Sequence, residues 1–352
     1  MLLFDVTKTS VLGHHSGLMR TSVCLQNELK ALCGGDVVPV SWNARRSAFV
    51  GIATSRTVTA GAGDWLITPE LFSEEERPGF GAWLDTTRCR TAAIYHDAIP
   101  LRFPEFTWPR SVSRHPHYMK MLGRFDVVLA NSTASADELR DYWRWLGMAH
   151  ANPVAIPFGA DGHGSPRVTG DPGRAGLRVI MMLGILEPRK NQAAVLDAAE
   201  RLWEERVGFT LKIAGRVNPH FGRPLVRRIR DLRRAGRTLE YEERLDDAGV
   251  ARLLSGARFT VMPSLAEGCG LPVLESLWAG VPVLCSDLPA INETASGGGC
   301  LIIRADDGDA LTEAMRELLA DGDAVTRMTG EAVSRALPAW ADTAREMLAA
   351  LV

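Results

Sequence analysis

Two carboxylates eight positions apart, Glu267 and Glu275, bracket a glycine-containing turn in 263-PSLAEGCGLPVLESLWAGVPVLCSD-287. A strand is expected to end near Pro263. The loop 264-SLAEGCG-270 then leads into a helix starting at Leu271 or Pro272, because proline at a first helical position lacks only a donor that the helix does not need. Gly268 and Gly270 let the main chain come close to a ligand. The amides of Cys269, Gly270 and Leu271 would face an anion at the helix N-terminus. Glu267 lies on the loop and Glu275 one turn inside the helix, so both can point at one place. A carboxylate there accepts two hydrogen bonds at once, which suits ribose or sugar hydroxyls. The same residues also allow a simple capping loop with Glu275 on an exposed helix face.

A second anion site is suggested by 183-LGILEPRKNQAAVLDAAE-200. Here a strand ends, a short loop turns, and a helix begins near Asn191, which can cap it. Arg189 and Lys190 stand just ahead of that helix start and could converge with it on a phosphate. A solvated basic turn is the alternative.

Other chemistry-bearing stretches read more simply. The seven arginines of 223-RPLVRRIRDLRRAGR-237 accompany Leu225, Ile229 and Leu232 at helical spacing. That is an amphipathic helix whose arginines face water, with an anionic lipid surface as the alternative. The acidic run 306-DDGD-309 precedes a helix and is expected to cap it, so no metal is assigned there. Trp143 and Trp145 could line a groove, but core packing is expected for at least one of them.

The elements that must position these residues alternate between short apolar runs and helical patterns, the signature of parallel sheets with crossover helices. Strands are expected at 2–6, 36–42, 91–95, 126–130 and 153–157, with helices near 17–33, 111–124 and 135–146, the last capped by Ser135 and stopped by Gly147. The Gly-, Pro- and Asp-rich stretch 158-FGADGHGSPRVTGDPGRAG-176 reads as an interdomain linker. Beyond it, strands fall near 177–183, 209–214, 238–242, 258–262, 281–285 and 300–303, with helices near 191–204, 223–235, 247–256, 271–279 and 308–320. The tail 338–352 is one amphipathic helix. The reading is α/β, with a doubly wound sheet in the second half and a shared architecture in the first: 1–160, a linker at 161–176, and 177–337.

With 352 residues, 46% of them hydrophobic, and a formal net charge of -2, the chain can build real cores and has no bias towards nucleic acid. Its six cysteines form no C-x-x-C pair, which fits a reduced, cytoplasmic protein. The N-terminus does not read as a signal peptide, and no apolar run suits a membrane span. No G-x-G-x-x-G follows the first strand, so a dinucleotide dehydrogenase is disfavoured.

Taken together, E267-GCGLPVL-E275 and the following GVPVLCSDLPAINE resemble the E-x7-E signature of retaining GT-B glycosyltransferases of family 4. The loop 184-GILEPRKN-191 is similar to that family's phosphate loop. In the first half, 95-YHDAIPLRFPE-105, 126-DVVLANSTASADEL-139 and 5-DVT...SGLMR-20 look like a mannosyltransferase-like branch. The resemblance covers nearly the whole chain in the right order. It departs at Ile185, where many members carry Arg or Thr, at Cys269, which replaces an aromatic, and at 13-GHHSG-17, which replaces a plain double glycine.

The resemblance implies a GT-B fold whose two Rossmann-like, doubly wound domains face a cleft and whose final helix, from about Trp340, crosses back onto the first, so that 338–352 is counted with 1–160. It implies a nucleotide-diphosphate sugar donor, GDP-mannose-like or a UDP-sugar, bound without a cofactor or metal. Arg189 and Lys190 would hold the diphosphate, and Glu275 the ribose. Glu267 would meet the donor sugar, beside Gly17, Gly184, Gly268, Cys269, Gly270 and Leu271. His96 matches the family's active-site histidine. Gly13, His14, Ser16, Arg20 and Asp97 would lie towards the acceptor, although the histidines of the first loop also read as merely exposed. The implied reaction moves a hexose or deoxyhexose to a glycan, lipid-linked or small-molecule acceptor, with peripheral contact at the inner membrane face as an accompanying expectation. A GT-B epimerase or phosphorylase, and a non-catalytic nucleotide-sugar or glycan-binding protein, are the competing readings.

Overall fold

The computed structural model describes residues 1–11, 17–148, 150 and 152–352. They fall into two units, Met1–Gly159 with Pro338–Val352, and Ala160–Leu337.

The first unit opens with β1 (Leu2–Asp5), α1 (Gly17–Cys33), β2 (Val37–Asn43), β3 (Ala48–Gly51) and β4 (Trp65–Thr68). It continues with α2 (Phe80–Thr86), β5 (Arg90–Tyr95), α3 (Ile99–Arg102), α4 (Pro109–Leu122), β6 (Val127–Ala130), α5 (Thr133–Trp145) and β7 (Val154–Ala155). The sheet order is β3-β2-β1-β4-β5-β6-β7. Only β3 runs antiparallel, hairpinned onto β2. Two of these strands, β3 and β4, fall outside the expected set. β4 is the consequential one, because its four residues, WLIT, sit fully buried between β1 and β5. A run that short is buried on both faces and has no alternation to betray it.

The helix expected from Ser135 starts earlier. Ser132 is the cap, accepting from the Ser135 amide at 3.0 Å. Ser135 is itself buried and donates its hydroxyl to the His96 carbonyl at 2.9 Å. Trp143 packs inside with its indole N–H on the Met119 carbonyl at 2.7 Å, whereas Trp145 is 79% exposed.

The second unit comprises β8 (Val179–Leu183), α6 (Gln192–Glu204), β9 (Thr210–Ala214), α7 (Arg223–Arg234), β10 (Leu239–Glu242), α8 (Asp247–Ser255) and β11 (Phe259–Met262). It ends with α9 (Leu271–Trp278), β12 (Val283–Ser286), α10 (Pro289–Ala295), β13 (Cys300–Ile303), α11 (Gly308–Ala320) and α12 (Gly322–Ser334). Every expected strand and helix of this half is present, and α10 and α12 are additions. Its six strands are all parallel in the order β10-β9-β8-β11-β12-β13. Counted from β8, this is the doubly wound order 3-2-1-4-5-6. The order reverses between β8 and β11, so the loops after those two strands flank the switch point where such sheets bind ligands.

The stretch expected as a linker is packed into this unit. Arg174 is buried, and its guanidinium donates to five carbonyls, those of Leu254, Ser255, Ala257, Ala279 and Gly280. Burial pulls its pKa down to about 10. The acidic run before α11 caps it as expected, Asp307 accepting from the Ala310 amide at 2.8 Å. On α7, Ile229 and Leu232 are buried, while Arg228 pairs with Asp197 and Glu200.

The tail returns to the first unit as α13 (Trp340–Ala350), packed on α1. Trp340 is buried beside Phe158, their ring centroids 5.3 Å apart.

Candidate functional site

The loops after β8 and β11 carry the two motifs singled out above, and the fold places them side by side. The Leu265 amide donates to the Arg189 carbonyl at 2.7 Å, and the Arg189 guanidinium reaches the Ala266 carbonyl at 3.1 Å. Glu267, its side chain only 10% exposed, sits at the centre. It accepts from Arg189 at 3.2 Å, from the Lys190 ammonium, and from the Ser264 hydroxyl at 2.7 Å. Burial alone would raise the Glu267 carboxyl, but the charges of Lys190 and Arg189 outweigh it and hold the pKa at about 2. Burial pulls the Lys190 ammonium downward, against the attraction of Glu267.

Glu187 completes the cluster and was not picked out from the sequence, although it stands inside the quoted EPRKN run. Its carboxylate takes the Arg189 Nε–H at 2.5 Å and the Asn218 amide at 3.1 Å. The two cations therefore meet two carboxylates in a nearly dry setting. Asn191 corrects a sequence expectation. It occupies the helix N-cap position with φ of 60°, but its side chain donates to the Ala305 carbonyl at 2.9 Å and caps nothing. Gly184 has φ of 141°, a conformation that favours glycine, and it lies against the Lys190 side chain, whose Cε would make ordinary contact with an added Cβ at 3.5 Å.

The second half of the site is the start of α9. Gly270 is its N-cap in the left-handed region at φ of 77°. Among the described residues no chain atom accepts from the amides of Cys269, Gly270 or Leu271, so these donors stand available at a helix N-terminus. Cys269 is buried, and burial pushes its thiol up to about 12, so it contributes backbone and wall and no thiolate. Lys190, Ser264, Glu267 and Gly270 share a pocket with the apolar walls Met182, Met262 and Ile291. Glu275 is not on an exposed helix face. It is 5% exposed and lies 3.1 Å from the His163 Nε2, from the stretch expected to be linker.

In the first unit, His96 follows β5 and is buried. Its Nε2–H donates to the Pro69 carbonyl at 2.8 Å. Burial lowers its pKa, which favours the neutral ring. A neutral imidazole whose Nε2 is the donor presents Nδ1 as an acceptor. Asp97, next in the chain, is half-buried and accepts from the Ile99 amide at 3.0 Å. Gly17 is the first residue of α1, and Arg20 lies half-buried within it. Gly13, His14 and Ser16 lie outside the described residues.

Three buried residues here were missed in the sequence. Arg77 joins Asp5, at 2.5 Å, to Glu70, at 3.0 Å. Glu70 in turn accepts from the amides of Lys8 and Thr9, fastening the turn that leaves β1. Asp5 stands inside the quoted 5-DVT run with no role read from it; Glu70 and Arg77 lie seven residues apart in a stretch that carries no motif, and they meet Asp5 and the turn after β1 only across more than sixty residues.

Residues 177–321 match the model of the family "Glycosyl transferases group 1". The serotype-specific mannosyltransferase WbdA of Escherichia coli is 27% identical over 219 residues, 57% of this chain and 26% of that one. The O-antigen chain mannosyltransferase B of Escherichia coli is 32% identical over 142 residues, 40% of this chain and 36% of that one. This chain thus spans between a quarter and about a third of these two curated relatives. Among solved structures, Anabaena Alr3699/HepE in complex with UDP and glucose superposes with a TM-score of 0.71 at 14% identity, covering 99% of this chain and 98% of that one. The chain shares the GT-B fold of these glycosyltransferase structures, and residues 177–321 of its second unit are similar to the group 1 glycosyl transferases.

Proposed function

We propose that the chain is a retaining hexosyltransferase that takes a hexose or deoxyhexose from a nucleotide-diphosphate sugar and needs no metal to do so. The observation that carries this reading is the cluster at the β8/β11 switch point. Arg189, Lys190 and three available amides converge there beside Glu267. A diphosphate is the ligand whose charge and acceptor count match that set.

The chemistry follows from the charges. As the glycosidic bond to the β-phosphate breaks, negative charge grows on the departing phosphate. Arg189 and Lys190, already oriented by Glu187 and Glu267, are poised to neutralise it, and the amides of Cys269, Gly270 and Leu271 add fixed dipoles. Glu275 accepts from the ribose hydroxyls, and Glu267 contacts the donor sugar as well as aligning the cations. No further carboxylate is assigned as nucleophile, so retention is attributed to attack from the face the phosphate leaves, with that phosphate helping to deprotonate the acceptor hydroxyl. His96 accepts a hydrogen bond from a substrate hydroxyl through Nδ1.

The relatives named as mannosyltransferases support a GDP-mannose-like donor and a glycan or lipid-linked acceptor, and the neighbour solved with UDP keeps UDP-sugars in view. Among the described residues no helix is long and apolar enough to cross a membrane. Peripheral contact with a membrane would use a charged surface such as the exposed arginines of α7.

The test is a thermal-shift panel of GDP-, UDP- and dTDP-sugars, followed by NMR of the best donor with and without acceptor and with EDTA. One donor is expected to raise Tm and to turn over to a product of unchanged anomeric configuration, with EDTA present or absent. Conversion of donor alone into an epimer, or stabilisation by no nucleotide sugar, would overturn the proposal.

A further inference from the structure

We infer that His163 is a positioning residue for Glu275, setting the preference of the site for a ribose diol; this rests on the donor-site reading above. His163 lies in the stretch that precedes β8 within the second unit, and its side chain is only 7% exposed. Its Nε2 is 3.1 Å from a Glu275 carboxylate oxygen, and its Nδ1 is 3.1 Å from the Asp247 carboxylate at the start of α8. The ring is therefore held between two helices, by an acidic group on each.

Glu275 is itself 5% exposed. A carboxylate at that depth has to be hydrogen-bonded. A donor fixed on one of its oxygens also sets the rotation of the carboxylate plane, and with it the directions of the lone pairs on both oxygens. Two vicinal hydroxyls need those directions to be right at the same time. A free glutamate would sample several rotamers and lose part of each bond to ordering, whereas a glutamate tethered by His163, with Asp247 behind it, is preorganised. The imidazole thus acts on ligand affinity through Glu275.

The test is calorimetric titration of the full chain and of the variants His163→Ala, His163→Gln and Glu275→Ala. The probes are GDP and UDP, their 2′,3′-dideoxy analogues and inorganic pyrophosphate, with Tm recorded for each variant. His163→Ala is expected to weaken the ribonucleotide about tenfold, the loss of one hydrogen bond to a charged group. It should leave the dideoxy analogue and pyrophosphate within about twofold. His163→Gln, which keeps one donor for Glu275, should recover part of the loss. Glu275→Ala should abolish the preference for ribose over dideoxyribose.

If Glu275→Ala weakens the ribonucleotide and His163→Ala does not, the inference about His163 falls while the donor site stands. If neither variant changes any affinity, the donor-site reading fails and the inference with it. Tighter binding in His163→Ala would make the histidine a competitor of the ligand, and an equal loss for all probes with a lowered Tm would make it merely structural. Either result overturns the proposal.

Discussion

At the scale of the residue, Lys190 and Glu275 are expected to separate turnover from affinity. Lys190 meets charge that grows only as the phosphate departs, so Lys190→Ala should lower kcat on the order of a hundredfold with donor affinity little changed. Glu275→Ala should mainly raise the donor Kd, by about ten- to a hundredfold, the worth of hydrogen bonds to a charged acceptor. Steady-state kinetics with equilibrium titration separates the two, and wild-type values in both variants would refute the assignment. His96 offers a sharper check. Burial and the Pro69 carbonyl favour the neutral ring protonated on Nε2. Nitrogen-15 NMR at pH 6.5 should therefore show that tautomer, and a charged ring there would refute it.

At the scale of the element, two glycines hold the ends of β8 and β9 together. Gly215 follows β9 with φ of 153°, and a Cβ there would come within 1.9 Å of the Gly184 carbonyl oxygen. That obstacle is backbone, so Gly215→Ala must push the phosphate loop away from its neighbour. A loss of about 2–4 kcal/mol in urea unfolding is expected, together with weakened nucleotide binding. Gly270→Ala should cost less. It also sits at positive φ, but the added Cβ would meet the tip of Ile291 at 2.5 Å, and a side-chain end can swing aside. Equal costs for the two variants would show that the Gly184–Gly215 approach is not constraining.

At the scale of the whole molecule, acid acts on the two units in different windows. In the first, His96 and His115 have pKa values lowered from 6.5, chiefly by burial. Below pH 6.5 the unfolded chain binds protons that the folded unit refuses, so stability falls as pH falls from that value. In the second, the depressed Glu267 carboxyl contributes stability that is complete above its ordinary 4.5 and is lost as pH falls towards about 2. Thermal unfolding followed from pH 7 to pH 5 should therefore show the first unit weakening while the second holds, and the reverse order would contradict these assignments. Trp340, buried in the first unit on the returning α13, gives a second test. Trp340→Ala should destabilise that unit by about 3–5 kcal/mol in denaturant melts; a cost under 1 kcal/mol would mean that α13 adds little to it.

The sequence by itself determined the strand–helix alternation of the second unit and the two loops of its switch point. Buried parallel strands must be written as apolar runs, and turns that take the backbone to positive φ favour glycines such as Gly184 and Gly270. It also carried Arg189, Lys190, Glu267 and Glu275 as a related set, because each lies within a few residues of a strand end or a helix start. Only the tertiary structure decided which groups those residues face. That Glu267 binds both cations, that Glu187 aligns Arg189, that His163 leaves an irregular stretch to hold Glu275, and that Asp5, Glu70 and Arg77 fasten the turn after β1 are mostly contacts between distant segments. Such pairings leave no period and no local propensity in a chain. β4 escaped for a related reason, since four buried residues acquire their identity as a central strand only from the neighbours on either side.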